Sequence, residues 1–387
     1  MERVIEVKAR EILDSRGDPT VEVELETEKH IKTIASVPSG ASVGSYEAVE
    51  LRDNDPQRFG GLGVLKAIEA IKSTLGAAVV GQDVTEQAAV DKMLVELDGT
   101  PHKSKLGANA ILAVSLAVCK AGTQAQNLPL YKYIQKLSGV TELKMPRAMF
   151  NFIEGAKHAD NNLKVQETMV VPVNDNFKEC YRFASETFHK LKKLLKDRNL
   201  GVAVGAEGGF APSLPSDEDS LRLIEESGQV KIAIDFAGII PDNLPLEKYI
   251  NEHPVVSVED PAEEDDWEGW AKITATYGQK CLIVGDDIFA SNTERLQEGV
   301  SKKVANAVIV KPNQIGTVME TIKFAKLAKS SNYKLVVSHR SGETEDPFIA
   351  DFAVGLGADF VKFGAPSRGE RVSKYNRLLR IEEELLR

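Results

Sequence analysis

The sequence is short of the features that mark several protein classes. Only three cysteines occur in 387 residues, Cys119, Cys180 and Cys281. They lie far apart with no metal-ligand spacing, so neither a disulfide framework nor a zinc site is expected. They read as small core residues, and the compartment reads as reducing and cytoplasmic. No run is apolar for long enough to cross a bilayer. The longest, "ANAILAVSLAVC" (108–119), carries Asn109 and Ser115, and its alanines read as a buried helix. The first residues, "MERVIEVKAR", are charged and strand-like, without the apolar core of a signal peptide. No basic stripe and no interleaving of basic with aromatic residues occurs, which argues against a nucleic-acid partner. No repeat or low-complexity segment stands out.

What is present is an ordinary globular mix, 42% hydrophobic and 27% charged, with a formal charge of -10. An acidic chain repels anions at long range, so an anionic substrate would need local cations. "EVKAREILDSRGDPTVEVELE" alternates apolar and acidic positions and reads as two strands around a turn at Gly17-Asp18-Pro19. "VTEQAAVDKMLVELDG" places Val90, Met93, Leu94 and Leu97 on one helix face, with Gly99 as the stop. Residues 1–134 are therefore expected to form an N-terminal α+β domain, followed by a linker in "QKLSGVTELKMP" (135–146).

From there the pattern changes. Short apolar runs alternate with helical segments: "AMFNFI", "TMVVPV", "GVAV", "KIAID", "VVSVE", "LIVGDD", "AVIVK", "LVVSHR" and "DFVKF". Eight or nine such runs fit a TIM-like (β/α)8 barrel over residues 140–387 better than a doubly wound sheet, giving an α/β chain. "EEDDWEGW" reads as a helix start with buried Trp267 and Trp270, and "RIEEELLR" as a terminal helix.

The runs end in charge. Asp235, Glu259, Asp286 with Asp287, Lys311, His339 with Arg340, and Lys362 follow one another at steps of 24, 27, 25, 28 and 23 residues. Each step is one strand plus one helix, so a barrel would gather all of these groups on its C-terminal face. Any one could be a helix cap or a solvated loop residue, but six in phase define a site. Converging carboxylates repel one another, and a hard divalent cation such as magnesium or manganese relieves that. A lysine whose pKa is lowered beside the metal would act as a base, and a base opposite a metal-bound carboxylate removes a weakly acidic proton. Arg340 and the second lysine would hold anionic substrate groups. His158 and His189, taken alone, could equally be packed or surface histidines. "VGAEGGF" (204–210) matches no phosphate-loop pattern.

The long motifs "DSRGDPTVEVE", "DGT..KSKLGANAILAVSLA", "VVSVEDP", "GDDIF", "KPNQIGT", "SHRSGETED" and "KYNRLLRIEEEL" carry a resemblance to the enolase family over nearly the full chain. The resemblance implies reversible dehydration of 2-phosphoglycerate to phosphoenolpyruvate, a glycolytic lyase step, with two Mg2+ per site. It further implies Lys311 as the base at carbon 2, Glu207 as the acid for the departing hydroxyl with Glu167 assisting, and Asp235, Glu259 and Asp286 as ligands of one magnesium. Ser42 on "SGAS" would help bind the second. Arg340 and Ser341 would hold phosphate, Lys362 and Gln166 the carboxylate end, and His158 and His339 would line the closed site. The family barrel begins with two antiparallel strands, which would bring Glu167 to the same face. A homodimer or higher homo-oligomer and a cytoplasmic location, with a secondary cell-surface location by analogy, are also implied.

The chain departs from that pattern. "GAEGG" has Ala206 where the resemblance implies an acid beside Glu207, "EGAKHA" has Glu154 and Ala156 in place of the usual "NGG.HA", and Val43 and Phe363 replace threonines. "FAGIIPDN" replaces a longer excursion after Asp235. Loss of the acid at 206 is expected to lower the pKa of Glu207. The departures favour one alternative, an enolase-fold paralogue with weak or no activity and a structural or surface-binding role. Another superfamily lyase or racemase is disfavoured by "SGAS" and "SHRSGETED".

Overall fold

A computed structural model describes residues 1–40, 44–238 and 246–386. Strands β1 (Val4–Leu13) and β2 (Pro19–Thr27) pair antiparallel, as the alternation predicts, and β3 (Lys32–Ser36) extends the sheet beyond that expectation. The turn between β1 and β2 is built by Asp14, whose carboxylate accepts the N–H groups of Arg16 and Asp18. Gly17 takes φ 83°, a backbone state that L side chains rarely adopt. The sheet's inner face packs on the helix Ala108–Ala125, whose residues are almost all buried. The helix Gln87–Asp98 buries Val90 and Leu94 and stops at Gly99, φ 69°. All three cysteines are buried and unpaired. No helix among the described residues is long and apolar enough to cross a membrane.

The expected linker is shorter than its composition suggests. Gln135–Ser138 close the helix Leu130–Ser138, which packs on the helix Phe348–Gly355. Tyr131 donates its N–H to Asp351, and Ser138 donates to the Gly355 carbonyl. These contacts outweigh the glycine and proline flanking that suggested a loop.

The rest is a closed eight-stranded barrel: β4 (Arg147–Glu154), β5 (Glu167–Val171), β6 (Lys231–Asp235), β7 (Val255–Glu259), β8 (Leu282–Gly285), β9 (Ala307–Val310), β10 (Lys334–Ser338) and β11 (Phe360–Lys362). From β6 to β11 each strand pairs parallel with the next, and β11 pairs parallel with β4, whereas β5 runs antiparallel to both β4 and β6. "GVAV" is not one of the eight strands. Val204 makes only an isolated bridge to Phe210 within a loop. Two helices, Phe177–Asp197 and Glu218–Ser227, separate β5 from β6, and at least one helix follows each later strand. Phe177–Asp197 shows why: Asn176 caps it by accepting the Glu179 N–H, and Cys180, Ala184, Phe188, Leu191 and Leu195 recur on its buried face. Trp270 is buried, but Trp267 is only partly so, because Arg295 and Lys302 lie over its ring.

The barrel interior is filled by Met149, Met169, Val171, Ala233, Val284, Ala307, Ile309 and Val336. Strand side chains alternate between faces, so the residue two further on points the same way. Ile309→Ala should therefore open a cavity in this layer and cost about 2–5 kcal/mol of unfolding free energy. Val300→Ala, at a half-exposed position, should change it by less than about 0.5 kcal/mol. Urea unfolding of the two variants checks this, and equal losses would contradict the packing described.

Candidate active site

The site is the next layer of the same barrel. Two residues beyond Met149 is Asn151, beyond Ala233 is Asp235, beyond Val284 is Asp286, beyond Ile309 is Lys311, beyond Val336 is Ser338 and beyond Phe360 is Lys362. On antiparallel β5 the order reverses, and Glu167 lies two residues before Met169. Register places Glu154 opposite Glu167, Glu167 opposite Asp235, and Asp235 opposite Glu259. Four adjacent strands thus put four buried carboxylates in one row.

Lys362 answers much of that charge. Its Nζ lies 3.0 Å from Glu167 Oε2, 2.9 Å from Asp235 Oδ2 and 3.0 Å from Glu259 Oε2. Burial pushes the ammonium pKa down, but Asp235, Glu167 and Glu259 together hold it well above the usual lysine range. Burial, then Asp235, pushes Glu259 well above the usual carboxyl range. Lys311 pairs with Asp286, which also accepts from Gln314 Nε2 at 3.0 Å. Burial again lowers the lysine, and Asp286 more than offsets it, so Lys311 is raised. Each lysine thus has a carboxylate partner in the chain itself, and the lowering expected of a lysine beside a metal would have to come from the ion.

A second group gathers around Glu207. His158 Nδ1 is 3.3 Å from Glu167 Oε1, and its Nε2 is 3.7 Å from Glu207 Oε1. Burial lowers the imidazole, but Glu207 and Glu167 raise it to about 9. Burial, the largest single influence, raises Glu207, yet His158, His339 and Arg371 together outweigh it and hold the carboxyl well below the usual range. That is the direction expected from the missing acid at 206, although the agents are His158, His339 and Arg371. Burial, then Glu207, raises Glu167. Asn151 donates its amide to Glu207 Oε2 at 2.6 Å.

Glu207 rides on a loop held by Glu154. A bulge in β4 at Asn151/Ile153 turns the Glu154 carboxylate onto that loop, where it accepts the N–H of Glu207 at 3.1 Å and of Gly209 at 2.6 Å. A Cβ at Gly205 would lie 2.2 Å from Glu154 Oε2, so only glycine admits this approach. Burial, then the Glu207 charge, pushes Glu154 up to about 8.

The N-terminal domain closes the mouth. Ser39 and Gly342 exchange backbone hydrogen bonds at 2.8 and 2.9 Å. Glu47 takes both Nη atoms of the buried Arg340 at 2.8 and 3.1 Å, and Asn313 Oδ1 accepts from Nη1 at 3.1 Å. Arg340 and Ser341 adjoin His339 in the cavity wall. Gln166, whose amide lies 3.4 Å from Asp235 Oδ2, joins them. The structure thus brings His158, Gln166, Glu167, Glu207, Asp235, Asp286, Lys311, His339, Arg340, Ser341 and Lys362 to one cavity, with Glu259 behind Lys362. Ser42 lies outside the described residues. His189 sits exposed on a helix far from this chemistry in kind.

The donors suit a hard divalent cation. Around the mouth carboxylates outnumber cations among the described residues, and Gln166 Oε1 is buried with no hydrogen-bond partner. Two sets offer ligand atoms within 4.8 Å of one another: Asp260, Asp286 and Asp287, and His158, Glu167 and Glu207. Asp235 and Glu259 close on Lys362 instead. Asp260 spends both oxygens on the N–H groups of Asp286 and Asp287, at 2.8 and 3.0 Å, and so shapes the loop that carries Asp286.

A barrel with one reversed strand, an acid row at its C-terminal mouth and a capping α+β domain defines the architecture. Two family models match it, the enolase N-terminal domain over residues 4–134 and the enolase C-terminal TIM barrel domain over residues 142–240 and 243–387. The chain belongs to the enolase family.

Glu47, Asn151 and Arg371 were not singled out from the sequence. Asn151 had a signal: a polar residue in phase with Met149 inside an apolar strand. Glu47 and Arg371 reach the site only through tertiary packing.

Two outcomes follow from this geometry. Glu154→Ala strands two buried N–H donors and should cost about 2–5 kcal/mol, read as a lower midpoint in urea unfolding. His158 binds its proton more tightly folded than unfolded, so its contribution is complete below about pH 6.5 and is lost as pH rises through about 9. In chelator, stability should fall by about 3 kcal/mol across that window, and His158→Asn should flatten the fall.

Proposed function

We propose that the protein is a magnesium-dependent lyase that removes water from 2-phosphoglycerate to give phosphoenolpyruvate, and catalyses the reverse. The observation that carries this reading is the placement of Lys311 at the C-terminal end of β9, four strands around the eight-stranded barrel from Glu167 on β5. A base and a proton donor on opposite walls suit elimination across a bound carbon–carbon bond.

Lys311, freed of its proton, takes the proton from carbon 2. The hydroxyl on carbon 3 leaves as water with a proton from the group formed by Glu207, His158 and Glu167. Since His158, His339 and Arg371 together hold the Glu207 carboxyl well below its usual range while His158 is raised to about 9, the transferable proton belongs to that group rather than to Glu207 alone. Arg340 and Ser341 bind the phosphate, and Lys362 with Gln166 binds the carboxylate. Asp235, Glu259 and Asp286 would hold one magnesium, with Ser42 at a second, and the ions would supply positive charge to the carboxylate as carbon 2 loses its proton. The capping domain excludes water from the buried charges. The low pKa of Glu207, together with Ala206 and Glu154, favours the alternative, a paralogue with weak or no activity.

Ultraviolet absorbance with 2-phosphoglycerate and magnesium should rise, and chelator should stop it. Lys311→Ala should lower kcat by about 100- to 10,000-fold. Absence of any rise from folded, magnesium-loaded protein would overturn the lyase reading.

A further inference from the structure

Arg371 opens the last helix, Gly369–Leu385, and is fully buried. Its Nη1 lies 2.7 Å from the Arg340 carbonyl and 2.6 Å from His339 Nδ1. Its Nη2 donates to the Ser341 carbonyl at 2.6 Å and the Ala206 carbonyl at 3.1 Å. One guanidinium therefore ties the segment 339–341 to the loop that carries Glu207.

A guanidinium has five N–H donors, no acceptor, and does not give up its proton. A ring nitrogen that meets it at hydrogen-bond distance must present a lone pair. His339 Nδ1 is thus unprotonated, and the ring's single proton sits on Nε2. That nitrogen is buried, has no aligned hydrogen-bond partner, and lies 3.0 Å from Glu207 Oε2 in the cavity wall. The same oxygen already accepts the Asn151 amide at 2.6 Å. Glu207 Oε2 therefore faces two donors, whereas Oε1 faces His158 Nε2 at 3.7 Å.

We propose that Arg371 is a positioning residue that locks His339 as a neutral Nε2–H donor beside Glu207 Oε2, so that Glu207 exchanges the proton it shares with His158 through Oε1. The second half rests on the reading of Glu207 as the acid; the first half does not. The charged groups around the ring are Glu207, Arg371 and Lys362. Burial chiefly, helped by Arg371 and Lys362 against Glu207, holds the imidazole down to about 3. A neutral ring beside a carboxylate is otherwise unusual, since the carboxylate favours the imidazolium.

The test is long-range proton–nitrogen NMR of the intact protein labelled at histidine nitrogen, with His339→Asn to assign the resonances. Wild type should show His339 as the Nε2–H tautomer, without titration between about pH 6 and pH 9. Arg371→Met should make His339 titrate in that window or change tautomer. It should also lower kcat on 2-phosphoglycerate by at least about tenfold and shift the pH profile of kcat, with KM changed less than about twofold. Arg371→Lys should restore part of the kcat. An Nδ1–H tautomer or a titrating His339 in wild type overturns the proposal without any variant needing to fold. A folded Arg371→Met whose His339 keeps its tautomer and stays unprotonated also overturns it. Correct NMR behaviour with no lyase activity would instead sink the function and leave the His339 lock standing.

Discussion

The structure turns on Lys362. Three carboxylates from adjacent strands lie within 3.0 Å of one ammonium, and all four groups are buried. Without a cation there, the row of acids at the barrel mouth would carry a heavy desolvation and repulsion cost. With only one, Glu259 is still pushed up, which marks the row as short of positive charge. The same imbalance is what a divalent cation answers, so the arrangement that strains the free chain is the one that prepares it to bind.

The reversed strand is what makes the row possible. In an all-parallel barrel, the first residue of β5 would lie at the opposite end from Asp235. Because β5 runs downward, its first residue, Glu167, pairs in register with the last residue of β6. The cost is a long excursion through two helices before β6 can resume the parallel order. The loop between those elements is not wasted, since it delivers Glu207 over the mouth, where Asn151, His158 and His339 meet it.

Much of this was legible because charge ended strands in phase. Asp235, Glu259, Asp286, Lys311 and Lys362 declared themselves by spacing alone, and the structure brings them to one end of the barrel. Asn151 did not, because Phe150 and Phe152 flank it and a bulge follows it. Arg371 and Glu47 could not, because nothing local distinguishes a buried guanidinium or carboxylate from a solvated one. "GVAV" misled for the converse reason: an apolar run predicts a strand, but the glycines after it bend the chain into a loop whose backbone pairs with itself.

Two departures from the enolase pattern, distant in sequence, are neighbours in space. Ala206 lacks the acid that the resemblance implies, and Glu154 supplies one where none is implied. The Glu154 carboxylate grips the N–H groups on either side of Gly208, at Glu207 and Gly209. Ala206 itself donates its N–H to the His158 carbonyl at 2.9 Å and accepts from Arg371 through its own carbonyl. The loop is thus fixed by backbone contacts to Glu154, His158 and Arg371, and the side chain at 206 is not needed to hold it. What changes is the field: an acid now lies behind Glu207 rather than beside it, buried and pushed up to about 8. A carboxyl in that state adds little negative charge at neutral pH, so it leaves His158, His339 and Arg371 together to hold Glu207 low against its burial. The two positions therefore bear on one glutamate: its loop is held by backbone contacts, and its acidity is set by the charged groups that face it.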